Sequence, residues 1–597
     1  MFYSKRNLHF NLYEVLQAQE LNKYAYYEDH SAETFDLVLE SAEQIAEKML
    51  LPLLTEMDRD EPQLVNGRIK VHEGMKPIIK KFGDDGWINA TFSYDEGGQQ
   101  LPGLIHNAAA FIFQAANYSA SVFPFLTTGA ANLIRTFGSE ELKATFLETM
   151  FSGKWQGTMA LTEPDAGSSL SDITTSATPT DEEGVYKIKG QKIYISAGDH
   201  DACENIIHLM LAKIAGGPAG AKGISLFVVP QKRISENGLE PNDVATAGVY
   251  HKMGYKGAPI AHLMMGAEDN CVGYLVGEPH KGLSYMFQMM NEARVGVGMN
   301  AAAIGTAAYY ASLQYAKERP QGRSITDKNP ANPQISIIHH ADVKRMLLFQ
   351  KSVVEGSLAL LLYCSKLADI AHVSSGEEQS EAALLLDFLT PIAKSYPSEM
   401  CCLTTSAAVQ ILGGAGYTTD FPVEQFYREA RIHPIHEGTT GIHGMDLLGR
   451  KITMQNGRAA VLFFNECGKT IHDAREIPTL ESCASELENS LRTLQKVTNH
   501  LLGIAKMGDT EAYLADATLF LEMTGIIAIA WQLLKSGVVS QNALNSETTH
   551  DSDRNFYNGK LAAMNYFFAY ELIKVEGLAK RLQEDNKVTI ETEADWF

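Results

Sequence analysis

Tyr186-Lys187-Ile188-Lys189-Gly190-Gln191-Lys192-Ile193-Tyr194-Ile195 alternates polar with apolar residues, the period-two pattern of a strand with one buried face. Ile224-Ser225-Leu226-Phe227-Val228-Val229 is a largely apolar run that reads as a second strand. With the turn Glu163-Pro164-Asp165-Ala166-Gly167 and further glycines as punctuation, a β-domain is expected over residues 159–276. On its N-terminal side, Leu37, Leu39, Ala42, Ile45 and Met49 mark helical spacing, so residues 38–158 read as a helical domain behind an N-terminal extension, 1–37. On its C-terminal side the helical period returns from Lys281. Leu283, Met286, Phe287, Met290 and Val297 form one stripe, which begins a helical domain over 277–456 interrupted by a polar loop from Gln321 to Gln334. Beyond Gly457 a further helical section, 457–597, is carried by Leu487, Leu491 and Leu494 and by Leu519, Leu521, Ile526 and Ile529. Its polar segment from Ser540 to Asn555 reads as a mobile connection. The order helix, strand, helix, helix excludes a doubly wound parallel sheet. The fold class is therefore α+β, mainly α.

A chain of 597 residues exceeds what one core supports, which agrees with several domains. The formal net charge of -22 argues against general affinity for nucleic acid, and residues 471–597 carry more acidic than basic side chains. No secretion signal opens the chain, and no stretch reads as long and apolar enough to span a bilayer, so a cytoplasmic location is expected. Seven cysteines point to thiols rather than a disulfide framework, with Cys401-Cys402 read as packed side chains on a helix. No metal-ligand pattern is present: His436-Glu437 begins a zinc-protease motif, but position 440 is Thr440.

Two charged residues stand out. Arg294 falls on the apolar stripe, where a guanidinium is costly unless it is ion-paired or faces a cleft, and residue type alone leaves both readings open. Glu437 lies on a glycine-bounded turn in Ile435-His436-Glu437-Gly438-Thr439-Thr440-Gly441-Ile442, just before a helix capped by Thr439 or Thr440. By itself such a glutamate reads as an acid favoured by the helix dipole.

Four runs change that reading. Met159-Ala160-Leu161-Thr162-Glu163-Pro164-Asp165-Ala166-Gly167-Ser168-Ser169, Gln410-Ile411-Leu412-Gly413-Gly414-Ala415-Gly416-Tyr417, Tyr427-Arg428-Glu429-Ala430-Arg431-Ile432 and the Glu437-Gly438-Thr439 turn occur in the order and rough spacing of the acyl-CoA dehydrogenase family. The resemblance covers roughly residues 40 to 450, and the extra length resembles the large subgroup that includes methylthiopropionyl-CoA dehydrogenases.

The resemblance implies a helical domain, a β-barrel-like domain and a four-helix domain with FAD among them, followed by the helical extension. It implies FAD-dependent α,β-dehydrogenation of an acyl-CoA to the trans-2-enoyl-CoA, as in fatty-acid β-oxidation. Glu437 would take the α-proton while the β-hydrogen leaves as hydride to flavin. The implied FAD contacts are Leu161, Thr162, Gly167, Ser168, Ile195, Ser196 and Thr439, with Gln410, Gly413 and Gly414 at the ADP part. Arg319 and Gln321, like the Gln410 region at the ADP part, would reach the FAD of a neighbouring subunit, which implies a homodimer. Ser168, Arg294 and Gly438 would contact substrate, and an electron-transferring flavoprotein would be the acceptor. Tyr194-Ile195-Ser196 stands where many members have tryptophan, isoleucine and threonine, and Gly441 where many have a larger polar side chain. These departures keep an oxygen-reducing acyl-CoA oxidase open as an alternative.

Overall fold

The alternation around Ile188 folds as one long strand, Val185–Ser196, whose phase changes part-way. Ile188 and Ile195 differ in parity, yet both enter one core with Met210, Phe227 and Leu263. Against the neighbouring strand, Lys192 opposes Leu263 and Ile195 opposes Ala261, so three steps on one strand face two on the other. Such a bulge adds a residue and reverses which face each later side chain takes. Tyr194 takes the strain, with φ of 57° and its ring exposed. Before the bulge, Lys192 shares the parity and the inward face of Ile188 and is fully buried, although a lysine is ordinarily exposed.

The computed structural model describes residues 1–327, 329–547 and 550–597, and of residues 288–291 the helical backbone alone. Eight strands make the main sheet: β1 (Trp155–Ala160), β2 (Ser176–Pro179), β3 (Val185–Ser196), β4 (Asn205–Ile214), β5 (Ile224–Pro230), β6 (Val244–Val249), β7 (Ile260–Met265) and β8 (Val272–Val276). They pair in the order β6-β7-β3-β8-β5-β4-β1. Because β2 pairs with both β3 and β4, the strands β3, β8, β5, β4 and β2 close a ring, the barrel-like form expected from the sequence.

The chain divides into two compact units. The sheet-bearing unit comprises Val38–Leu101 and Ile112–Ala293. In it, helices α1 (Tyr118–Phe137) and α2 (Glu140–Phe151) start where the Asn117 and Ser139 side chains accept from the backbone N–H groups of Ala120 and Leu142. Their apolar faces, through Ala130, Ile134 and Phe146, join Trp155, Leu209 and Leu226 of the sheet in one core.

The helical unit comprises Met1–Leu37, Pro102–Phe111 and Arg294–Phe597. It contains most of α3 (Gly282–Glu318), then α4 (Ala341–Val373), α5 (Gly376–Leu412), α6 (Thr440–Gly449) and α7 (Ala517–Asn545). Close approach of these helices depends on glycine. A Cβ at Gly298 would sit 2.0 Å from the Ala393 carbonyl oxygen, and one at Gly444 would sit 2.8 Å from the Ala517 backbone. The second contact seats α7, part of the C-terminal section, directly against α6.

Several expectations need correction. Leu37 is 66% exposed and Phe287 45% exposed, so neither belongs to its supposed buried stripe, and the side chain of Met290 lies outside the described residues. Ser540–Asn545 completes α7 and a helix resumes at Asp551, because the apolar face of α7 continues through buried Ser536 and Ser540 despite their polarity. Within the expected Ser540–Asn555 connection, Thr548 and Thr549 lie outside the described residues, as does Lys328 in the Gln321–Gln334 loop. Two helices, Ala341–Val373 and Thr510–Asn545, are long and apolar enough to cross a membrane by length and composition, contrary to the sequence reading. In each, 83% of the apolar window is buried in the protein, as in a core helix. All seven cysteines are free thiols.

Gly298→Ala is expected to lower stability by about 1–3 kcal/mol through overpacking. Denaturant unfolding followed by far-UV circular dichroism checks this, and an unchanged midpoint would contradict the packing constraint.

Candidate active site

In the helical unit, the turn before α6 is built by backbone bonds that never settle into a helix. The Ile435 and His436 N–H groups donate to the Ile432 carbonyl at 2.9 and 3.2 Å, and the Thr440 N–H reaches back to Pro434 at 3.2 Å. Thr439 is the N-cap, accepting from Ile442 N–H at 3.4 Å. Between these anchors Glu437 and Gly438 have φ of 53° and 91°. A left-handed conformation at a non-glycine residue costs about 1–2 kcal/mol, so the surrounding structure must impose it at Glu437. Gly438 is needed twice over, because a Cβ there would also lie 2.8 Å from His443 Nε2.

Three side chains hold or face this turn. His443 donates from Nε2 to the Glu437 carbonyl at 3.1 Å, and burial pushes the ring down to about 3, so it is neutral at pH 7. Lys394, in the middle of α5 and fully buried, donates to the carbonyls of His433 at 2.6 Å and Gly438 at 2.7 Å. Arg294 is buried and lies 3.6 Å from Asp446, so the ion-pair reading of this stripe position holds in the structure. Burial raises the Glu437 carboxyl above its ordinary value, while the Arg294 and Lys394 charges pull it back down. Glu437 as a residue is half-buried, and its N–H has no acceptor among the described residues.

The remaining residues of this unit stand apart from that turn in sequence and are exposed. Arg319 and Gln321 lie on a strap where Ile337 N–H donates to the Arg319 carbonyl and Gln321 N–H to Ile335, both at 2.9 Å. Gln410 is exposed near the end of α5, and Gly413 ends that helix with φ of 61°. Nothing lies within 4 Å of a Cβ built on Gly413 or Gly414, so their backbone is open to approach.

In the sheet-bearing unit, Leu161, Thr162, Gly167 and Ser168 follow β1 on a tight turn in which Glu163 and Ala166 exchange two backbone hydrogen bonds. The turn is tied to β3 by Ile193 N–H, which donates to the Thr162 carbonyl at 2.9 Å. Ile195 is buried and Ser196, at the end of β3, is half-buried. The Thr162, Ser168 and Ser196 hydroxyls make no hydrogen bond to any described residue.

Sequence reasoning missed what fixes this turn. Glu163, 3% exposed, accepts from Lys192 Nζ at 2.8 Å, from Thr174 N–H and hydroxyl at 2.6 and 2.8 Å, and from Thr175 N–H at 3.1 Å. Lys192 also donates to the Leu161 carbonyl at 3.0 Å. Burial raises the Glu163 carboxyl, but the Lys192 charge and these donors outweigh it and hold it at about 2. For Lys192, and equally for Lys394, the available signal was a lysine in an otherwise core-forming stretch.

Comparison with known proteins matches these elements in order. The acyl-CoA dehydrogenase N-terminal domain matches residues 32–154, the middle domain 158–267 and the C-terminal domain 280–452, and an acetyl-CoA dehydrogenase C-terminal-like domain matches 463–593. The 3-methylmercaptopropionyl-CoA dehydrogenase of Ruegeria pomeroyi is 35% identical, over 97% of this chain and 97% of its own length. The chain belongs to the acyl-CoA dehydrogenase family. This acyl-CoA dehydrogenase is also 32% identical to a butyryl-CoA dehydrogenase of Syntrophomonas wolfei, over 95% of this chain and 94% of the relative. A Bacillus anthracis acyl-CoA dehydrogenase solved with FAD shares the fold, with a TM-score of 0.72 at 19% identity over 96% of this chain and 91% of that one. As a family member this protein is a flavin-dependent oxidoreductase.

Removing Lys192 strands a buried carboxylate. Lys192→Met is expected to cost about 3–5 kcal/mol, read from denaturant unfolding. Because the folded Glu163 carboxyl sits at about 2 and an unfolded glutamate at about 4.3, its contribution is fully present above the unfolded value. It is expected to fade as pH falls from there toward 2. A wild-type stability flat through that window would contradict the assignment.

Proposed function

We propose that the protein oxidises an acyl-CoA to the trans-2-enoyl-CoA, with Glu437 removing the α-proton and the β-hydrogen leaving as hydride to FAD. The state of Glu437 carries this reading. A carboxyl whose proton affinity is raised by burial is matched to a weakly acidic C–H better than a solvated one. The same residue offers a second group. Its N–H, without an acceptor among the described residues, is available to the thioester oxygen as negative charge develops there.

The residues present fit a flavin dinucleotide. In the sheet-bearing unit the hydroxyls of Thr162, Ser168 and Ser196, unpartnered among the described residues, with the backbone of Leu161, Gly167 and Ile195, would hold the flavin and its phosphates. Gln410 and the open backbone of Gly413 and Gly414 would take the ADP part of a neighbouring subunit's FAD. FAD, when bound, supplies a two-electron acceptor for the hydride. The exposed Arg319 and Gln321 would serve the site of a second subunit, which makes the working form a homodimer. Ser168 and Gly438 would contact substrate, as would Arg294, already neutralised in part by Asp446. An electron-transferring flavoprotein would accept the electrons, in a cytoplasmic fatty-acid β-oxidation step. Relatives named for methylmercaptopropionyl and butyryl groups direct the first trial to short unbranched acyl chains.

Anaerobic titration with butyryl-CoA and 3-methylmercaptopropionyl-CoA is expected to bleach the visible flavin band. Glu437→Gln should slow bleaching by on the order of 10²–10⁴-fold while acyl-CoA still binds. The wild-type rate should fall as pH drops through a value above that of an ordinary glutamate, since the base must be ionised. Bound flavin that no acyl-CoA bleaches would sink the reading, and bleaching of the Gln variant at the wild-type rate would move the base elsewhere.

A further inference from the structure

Lys394 is buried without an ion pair: no carboxylate lies within 4 Å of its ammonium among the described residues, and its hydrogen bonds there go to two backbone carbonyls. Those carbonyls, of His433 and Gly438, lie on either side of Glu437 in sequence. One ammonium therefore closes the arc of chain that carries the glutamate. His443 fastens the intervening Glu437 carbonyl at 3.1 Å, so the peptide groups on the C-terminal side of both left-handed residues are held by side chains of the following or neighbouring helix. A buried cation is expensive unless its hydrogen bonds are met.

We propose that Lys394 is a positioning residue for the Glu437 base, fixing the strained backbone on which the carboxylate is mounted and keeping a positive charge beside it. The proposal rests on Glu437 being the base. The groups facing Lys394 and Glu437 are Glu399 on α5, Arg294 on α3, His433 and His436 on the turn, and His443 and Asp446 on α6. Burial keeps the three histidines neutral, so Arg294 and Lys394 are the cations acting on Glu437. Loss of Lys394 thus removes one of two charges that favour the ionised base.

The test compares wild-type holoenzyme with Lys394→Met and with Lys394→Gln, which retains a donor but no charge. Hydrogen exchange read by mass spectrometry should speed up at least tenfold over residues 433–440 in the Met variant and less in the Gln variant, with other peptides unchanged. Anaerobic flavin reduction by butyryl-CoA, per bound flavin, should slow at least tenfold, with acyl-CoA affinity within threefold of wild type. The acidic limb of its pH profile should move to higher pH in both variants. Unchanged exchange over 433–440, or an unmoved acidic limb with a wild-type rate per flavin, overturns the proposal. If only the Gln variant accumulates folded, the same readings on it decide. Failure of wild type to be reduced by acyl-CoA instead counts against the proposed reaction, while the exchange result still judges Lys394.

Discussion

A lysine ammonium buried against backbone carbonyl oxygens holds each of the two turns on which the candidate site residues are mounted. Lys192 donates to the Leu161 carbonyl and to Glu163, and Lys394 to the carbonyls of His433 and Gly438. Backbone bonds hold each turn only in part and leave carbonyl oxygens that the ammonium groups meet. A charged donor at the end of a long side chain satisfies several acceptors at once and makes stronger bonds than a neutral one. Each ammonium sits in a place where its removal leaves backbone carbonyls unsatisfied. Burial weakens the hold on the protons, pushing both lysines down to about 8.

The rest of the fold supplies the rigid frame these clamps need. In the sheet-bearing unit the ring closed by β2 fixes β3, and with it the inward face that Lys192 shares with Ile188 ahead of the bulge. In the helical unit, α3 and α5 meet at Gly298 and Ala393, immediately beside Lys394. The C-terminal section takes part in this frame rather than standing apart as an appendage. Its helix α7 packs on α6 at Gly444 and on α5 at Gly525, where a Cβ would lie 2.9 Å from the Tyr396 ring. Trp531, fully buried on α7, donates to the Thr470 hydroxyl at 2.9 Å.

The electrostatics around Glu437 come from opposed effects of similar reach. Burial favours the protonated acid, and two nearby cations favour the carboxylate. His443 adds a hydrogen bond to the Glu437 backbone without adding charge, because its own burial keeps it neutral. The strained φ at Glu437 is thus imposed by neighbours that also set its proton affinity.

The sequence by itself determined the order of helical and sheet regions, since side-chain periodicity follows directly from backbone repeat, and it determined the family, since four runs stand in register. It also singled out Arg294, as a charge on an apolar stripe, and Glu437, through the resemblance carried by those four runs. Periodicity did not carry the phase change in β3, because one extra residue against a partner strand is a property of pairing. It misjudged Leu37 and Phe287, whose spacing suits a buried stripe but whose neighbours leave them exposed, and it ended α7 too early, because Ser540 is buried by packing. Lys192 and Lys394 were invisible as functional residues for a related reason. Their meaning lies in carbonyl oxygens supplied by distant segments of chain, and only tertiary structure decides which acceptors a buried ammonium meets.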